Sequence, residues 1–301
     1  MAERLAPEQA PPRVTSRPER AQGHSRRWGR RLLGSAVLVA VLVAAAVATL
    51  HFLGIQRSAQ EVRATALIPE GEPADVLVVL ARPGQELPMA ATLAELDQAG
   101  ATVSVLALTA GEDQPPVLDF GTTEIAEVRG QELARAGEIL GVDRVELAGY
   151  RAGELVSADP AEVTARIAEE LEAVQPSVVL TVGDQTGSDT DSQSAAAYAL
   201  AAAQAKDSGV ARVWTVTRGD REISWNALAR APIGSRVPEP QVAVRVDSNS
   251  GPKEADLLAH GTQSPELARA TYPYADRIPA WAYFRFWDRE YFALAWGTPL
   301  Q

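Results

Sequence analysis

Three stretches of this chain have side chains of the types and spacing that chemistry needs. The first is Arg82-Pro83-Gly84-Gln85-Glu86, a polar turn that closes the apolar run Val76 to Ala81. The second is the acidic stretch from Asp184 through Asp189 and Asp191 to Ser192. The third is His260, near the end of a helical pattern. Glu86, Asp184, Asp189 and Asp191 together offer oxygen ligands suited to calcium or magnesium, but their spacing fits no EF-hand loop, and an acidic turn is ordinarily just solvated. Arg82 pulls the other way: a guanidinium stays protonated, has no lone pair to give a metal, and repels a cation beside it. The chain has no cysteine, which excludes disulfides, zinc thiolate centres and thiol nucleophiles, and its three histidines, His24, His51 and His260, leave few imidazoles for a transition metal.

The elements around these stretches set their positions. Val76 to Ala81 is apolar without alternation, as in a parallel strand covered on both faces. Pro88 then opens a helix carrying Met89, Leu93 and Leu96, and Gly100 ends it. Val103 to Leu108 is a second strand, and Ile125, Val128, Leu133, Ala136 and Leu140 line a helix stopped by Gly141. Val145 to Ala148 is a third strand. Asp159-Pro160-Ala161-Glu162 is a helix start with N-cap, first-turn proline and following glutamate, and Val163, Ile167, Leu171 and Val174 supply the buried stripe. Strands over Ser177 to Val182 and Val210 to Thr217 flank an acidic turn, 183–191, and an Ala-rich segment, Ser194 to Ala205. This alternation predicts an α/β fold, Rossmann-like, with a mostly parallel sheet and helices on both faces. In such sheets ligands bind beyond the carboxyl ends of the strands, where Arg82 to Glu86 lies.

Residues 218–240 read as an irregular excursion, and Arg218-Gly219-Asp220 as a chance match to an adhesion tripeptide. Gln241 to Val246 alternates as a strand, and Pro252 opens a helix running to His260. Tyr272 to Trp296 holds ten of the 17 aromatic residues, a packing cap over one sheet edge in preference to a sugar-stacking platform.

Charge is uneven. Residues 1–31 hold eight Arg and three Glu, a local +5, which leaves 20 basic and 36 acidic residues, net −16, for the remainder. An acidic body excludes nucleic acid as a partner. The head reads as a disordered basic cytoplasmic tail before the apolar run Leu32 to Leu53, which has the roughly 20 residues of a spanning helix. Arg26, Arg27, Arg30 and Arg31 place the tail inside the cell and residues 55–301 outside. A cleaved signal peptide is the main rival, with Ala46-Val47-Ala48 as its processing pattern, but the run exceeds the usual apolar region of about 7–15 residues. The expected organisation is a tail (1–31), one transmembrane anchor (32–54), a linker (55–73) and an α/β domain (74–301), giving a single-pass cell-membrane protein whose main domain is extracytoplasmic.

The order of the landmarks resembles the PIG-L, or LmbE-like, family of zinc-dependent N-deacetylases. Ala81-Arg82-Pro83-Gly84-Gln85-Glu86 stands where the family has Ala-His-Pro-Asp-Asp-Glu, and Thr109-Ala110-Gly111-Glu112 looks like its Thr-Asp-Gly-Glu. Arg129, Glu132 and Leu140-Gly141-Val142 look like its Arg-x-x-Glu helix and following turn; Leu147-Ala148-Gly149-Tyr150 and Pro176-Ser177-Val178-Val179 match later landmarks. Lys253, His260 and Gln263 resemble its last helix, and Asp189-Thr190-Asp191-Ser192 aligns with its His-Pro-Asp-His motif. The resemblance implies a divalent metal that activates water, with an Asp as base. It places the metal ligands at Arg82, Gln85 and Ser192 and the base at Gly84, so no metal site of the family type, and no cofactor, is expected. Pro83, Glu86 and Asp191 keep their types. Arg82, paired with Asp189 or Asp191, is expected to supply the positive charge in place of the metal. The implied function is a non-catalytic, membrane-anchored relative that binds a glycan or cell-envelope partner; the alternative is a divergent N-deacetylase or amidase with a rearranged site holding zinc or another divalent metal. His260 is expected either to border that pocket or simply to be satisfied by a neighbour.

Overall fold

The structure is a computed structural model. It describes residues 33–49, 52, 66–72, 75–113, 122–183, 189–219, 238–246, 249–263, 278–279, 283–284 and 289–300. The chain divides into two compact units, Met1–Ala48 and Thr49–Gln301. Within the first, residues 33–48 belong to a helix whose consecutive Val37, Leu38 and Val39 are all exposed, so apolar surface runs around it. Among the described residues no helix is long and apolar enough to cross a membrane. Of the anchor expected over 32–54, residues 33–49 and 52 are helical and the others lie outside the described residues.

The second unit is built on a seven-stranded sheet of order β3-β2-β1-β4-β5-β7-β6. Its strands are β1 (Val76–Leu80), β2 (Val103–Thr109), β3 (Arg144–Tyr150), β4 (Val178–Thr181), β5 (Arg212–Thr217), β6 (Val242–Arg245) and β7 (Arg289–Gly297). The helices are α1 (Ala90–Gln98), α2 (Thr122–Leu140), α3 (Pro160–Val174), α4 (Thr190–Ala203) and α5 (Ser250–Ala259). The fold is thus α/β with a mostly parallel, mixed sheet. β1 pairs in parallel with β2 and β4, with Val76 opposite both Val103 and Val178.

The unbroken apolar run of β1 has the reason expected of it. Val76, Val78 and Leu80 enter one core with Met89, Leu93 and Leu133, while Leu77, Val79 and Ala81 enter a second with Val163, Ile167 and Ala195. Two covered faces leave no position for a polar side chain until the strand ends. Asp159 caps α3 by accepting from Ala161 N at 2.9 Å, with Pro160 at the first position.

Two sequence expectations need correction. The aromatic C-terminal segment is not only an edge cap: its Tyr291 and Phe292 lie on β7, which runs antiparallel between β5 and β6 inside the sheet. The mixed run Arg289–Gly297 hides a strand because Tyr291, Phe292 and Ala293 are buried in succession without alternation. Secondly, α4 begins at Thr190, so Asp189, Asp191 and Ser192 form a helix N-terminus and not a solvated turn. The segment 66–72, read as linker, already packs on the domain: Leu67 is buried in the core and Glu72 pairs with Arg212 at 2.6 Å.

Chain order reverses between β1 and β4, so the turn after β1 and the N-terminus of α4 at Asp189 meet where a crevice forms at the carboxyl edge of such a sheet.

Candidate functional site

Four of the residues singled out in the sequence, Arg82, Gln85, Asp189 and Ser192, meet in that crevice. Arg82 Nη2 donates to Asp189 Oδ2 at 2.6 Å. Asp189 is the N-cap of α4, and its other oxygen accepts from Ser192 N at 3.0 Å. Burial works against its charge, but the hydrogen bond and charge of Arg82, with help from Ser192, hold its carboxyl below the usual carboxylate range. Gln85 Oε1 accepts from Ala81 N at 2.8 Å, which fixes the amide so that Nε2 donates to Ser192 Oγ. The side chains of Arg82 and Asp189 are 23% and 20% exposed, whereas Pro83, Gly84, Gln85 and Glu86 are buried. From outside, this crevice therefore presents an ion pair.

Local backbone explains why Arg82 can lie there. A Cβ on Gly111 would come within 3.1 Å of Arg82 Cβ and Cδ, so the absent side chain makes room for the arginine stem. Gly84 has φ +88°, the left-handed region that favours glycine. Arg129, fully buried, donates to Gly111 O and fixes the same turn from below. Its burial lowers the guanidinium from its ordinary value, partly offset by Glu132 and Asp113.

Glu86 and His260 are both buried and bonded to each other. Glu86 turns inward: Oε2 accepts from Gly84 N at 2.9 Å and Oε1 bonds His260 Nε2. His260 and Asp256, one helical turn apart at the end of α5, are both 0% exposed, and Asp256 Oδ1 is 3.7 Å from His260 Nε2. Burial alone would lower the imidazole, but Glu86 and Asp256 outweigh it and push His260 up to about 10; burial raises the Asp256 carboxyl. Beside them a buried ion pair joins Lys253 to Glu290, whose carboxylate also accepts from Ala91 N at 3.1 Å, Thr92 N at 2.8 Å and Thr92 Oγ1 at 2.6 Å, at the start of α1.

Asp191 does not reach Arg82: its oxygens accept from Gly153 N at 2.6 Å and Leu155 N at 3.1 Å, clamping the loop after β3. Asp184 lies outside the described residues, as does Asp220 of the adhesion-like tripeptide. Sequence reasoning missed Asp256, although its i, i+4 spacing to His260 on a helical pattern was a usable signal. It also missed Glu290, which lies 37 positions from Lys253 and has no local signature.

Residues 77–204 match the family model for PIG-L, described as GlcNAc-PI de-N-acetylase. This part of the chain is similar to the PIG-L family. No curated protein matches the chain. Among solved structures, the PIG-L-like domain resembles the conserved protein TT1542 from Thermus thermophilus, at 23% identity and TM-score 0.55, covering 75% of this chain and 96% of that one. It also resembles GalB, the 4-carboxy-2-hydroxymuconate hydratase from Pseudomonas putida, at 16% identity and TM-score 0.54, with coverage of 75% and 98%. A third likeness is the N,N'-diacetylchitobiose deacetylase from Pyrococcus horikoshii, at 17% identity and TM-score 0.52, with coverage of 75% and 84%. A hydratase and a deacetylase on one fold show that the fold does not set the reaction.

The family's metal does not fit the aligned ligand positions. Arg82 brings a fixed positive charge, Gln85 spends its carbonyl oxygen on Ala81 N and its NH2 on Ser192, and Gly84 has no side chain to act as a base.

Proposed function

We propose that the PIG-L-like domain does not carry out metal-dependent deacetylation and instead binds a ligand, a glycan or another cell-envelope partner, in the crevice at the end of β1. The observation that carries this reading is the Arg82–Asp189 pair together with the Gln85–Ser192 hydrogen bond, which join the aligned ligand positions to neighbouring side chains instead of leaving donors free. Arg82 provides there the charge that a cation would have supplied, and Asp189 is committed to it, so neither is free to activate water. The apolar, all-round-exposed helix over 33–49 supports anchorage at a membrane, with the acidic domain on the outer side.

The test uses the full-length chain in detergent with N,N'-diacetylchitobiose as the probe, with and without added zinc. The expected outcome is no zinc-dependent acetate release, while binding of the uncleaved sugar is detectable and weakens in Arg82→Ala. Zinc-dependent release would overturn the non-catalytic reading. Release lost in Ser192→Ala would point to a rearranged metal at the aligned positions.

A further inference from the structure

We propose that Glu86, Asp256 and His260 form a closed site for a divalent cation of zinc type, behind the crevice and apart from the family's ligand positions. One donor atom from each of the three lies within 4.8 Å of the others, and all three residues are buried. The donors are an imidazole nitrogen and carboxylate oxygens, a set that zinc accepts, and two carboxylates with a neutral imidazole balance a dication.

The observation that points to a ligand is Asp256. At 0% exposure, neither of its side-chain oxygens has a hydrogen-bond partner, and the nearest counter-charge among the described residues is His260 Nε2 at 3.7 Å. A buried carboxylate left in this way is costly. A proton on His260 satisfies Glu86, with which Nε2 is already in contact, but leaves both oxygens of Asp256 unmet. A cation held by His260 Nε2, Glu86 Oε1 and a bidentate Asp256 meets both Asp256 oxygens, which share a carbon and so take one narrow edge of a distorted four-donor set.

Geometry allows it. Ligand atoms about 2.0–2.1 Å from a tetrahedral zinc lie roughly 3.3 Å apart, close to the 3.7 Å between Asp256 Oδ1 and His260 Nε2. Only the Glu86–His260 contact has to open. Glu86 is aimed by its second oxygen on Gly84 N, the kind of outer support that fixes a ligand. Lys253, the cation nearby on α5, is paired with Glu290. With every ligand buried away from substrate, the centre's role is to tie the turn after β1 to α5 and not to hydrolyse.

The experiment is zinc titration of the chelator-stripped full-length chain, read by calorimetry and by melting temperature. The expected result is one zinc per chain and a raised melting temperature, retained in Arg82→Ala and Ser192→Ala, with affinity at least about tenfold weaker in Asp256→Asn and His260→Gln. Wild type that binds no zinc overturns the proposal whether or not the variants fold. So does binding that survives in both Asp256→Asn and His260→Gln, or binding lost in Ser192→Ala. Should those inner variants fail to fold, cobalt substitution of the wild type decides: four-coordinate visible bands support the site, and their absence refutes it. The inference is independent of the proposed function, since bound zinc without acetate release supports both, and release would overturn only the non-catalytic reading.

Discussion

Two regions on either side of the turn 82–86 handle buried polar groups in opposite ways. At the crevice, Arg82, Asp189, Gln85 and Ser192 satisfy one another through direct hydrogen bonds, and the permanent charge is a guanidinium. Behind it, Glu86, Asp256 and His260 converge without full satisfaction, next to an ion pair sealed from water. The contrast teaches that one turn can satisfy its polar groups fully on one face and only partly on the other. The outer region has become self-sufficient. The inner one leaves both Asp256 oxygens without a hydrogen-bond partner.

The comparison can be broken most forcefully from the inside. Lys253→Met leaves Glu290 charged and buried, which should cost about 3–5 kcal/mol, toward the lower figure because Glu290 keeps donors from Ala91 and Thr92. Urea denaturation of the variant measures it, and a loss below about 1 kcal/mol would show that the inner region is no more demanding than the outer. Next comes Gln85→Ala, which strips the acceptor from the buried Ala81 N and the partner from Ser192 and should cost about 1–3 kcal/mol by the same measurement. Smallest is Arg82→Ala. Its pair with Asp189 is partly exposed, so the cost should be about 0–1 kcal/mol at neutral pH.

A pH series sharpens that last figure. Asp189 is held below the ordinary carboxylate value, so its contribution is complete above the unfolded value of about 3.9 and fades as pH falls through the lower folded value. The wild type should therefore lose more stability than Arg82→Ala on acidification below about pH 4, and the two curves should converge at the acid end. Parallel curves would mean that Arg82 does not set the Asp189 carboxyl.

Much of the frame was legible before the fold was known. The unbroken run of β1, the Asp159-Pro160 start of α3 and the order of landmarks led directly to a parallel α/β sheet with Arg82 at a strand end, because periodicity and capping are local properties of the chain. β7 was not legible as a strand, since its burial follows its position between β5 and β6 and not an alternation in the sequence. The helical setting of Asp189 and Ser192 was obscured because an acidic run reads equally well as a turn or as an N-cap.

What the sequence determined by itself is composition and type: no cysteine, few histidines, a guanidinium at Arg82 and no side chain at Gly84. These alone disqualify the aligned metal positions, because ligation and proton transfer depend on which atoms a residue owns. The tertiary structure alone decided the pairings. It gave Arg82 to Asp189 and not to Asp191, turned Glu86 inward to His260, and brought Glu290 beneath Lys253. Such choices depend on which strand ends and helix termini the sheet order sets side by side, over separations of 37 to 174 residues that no local pattern encodes.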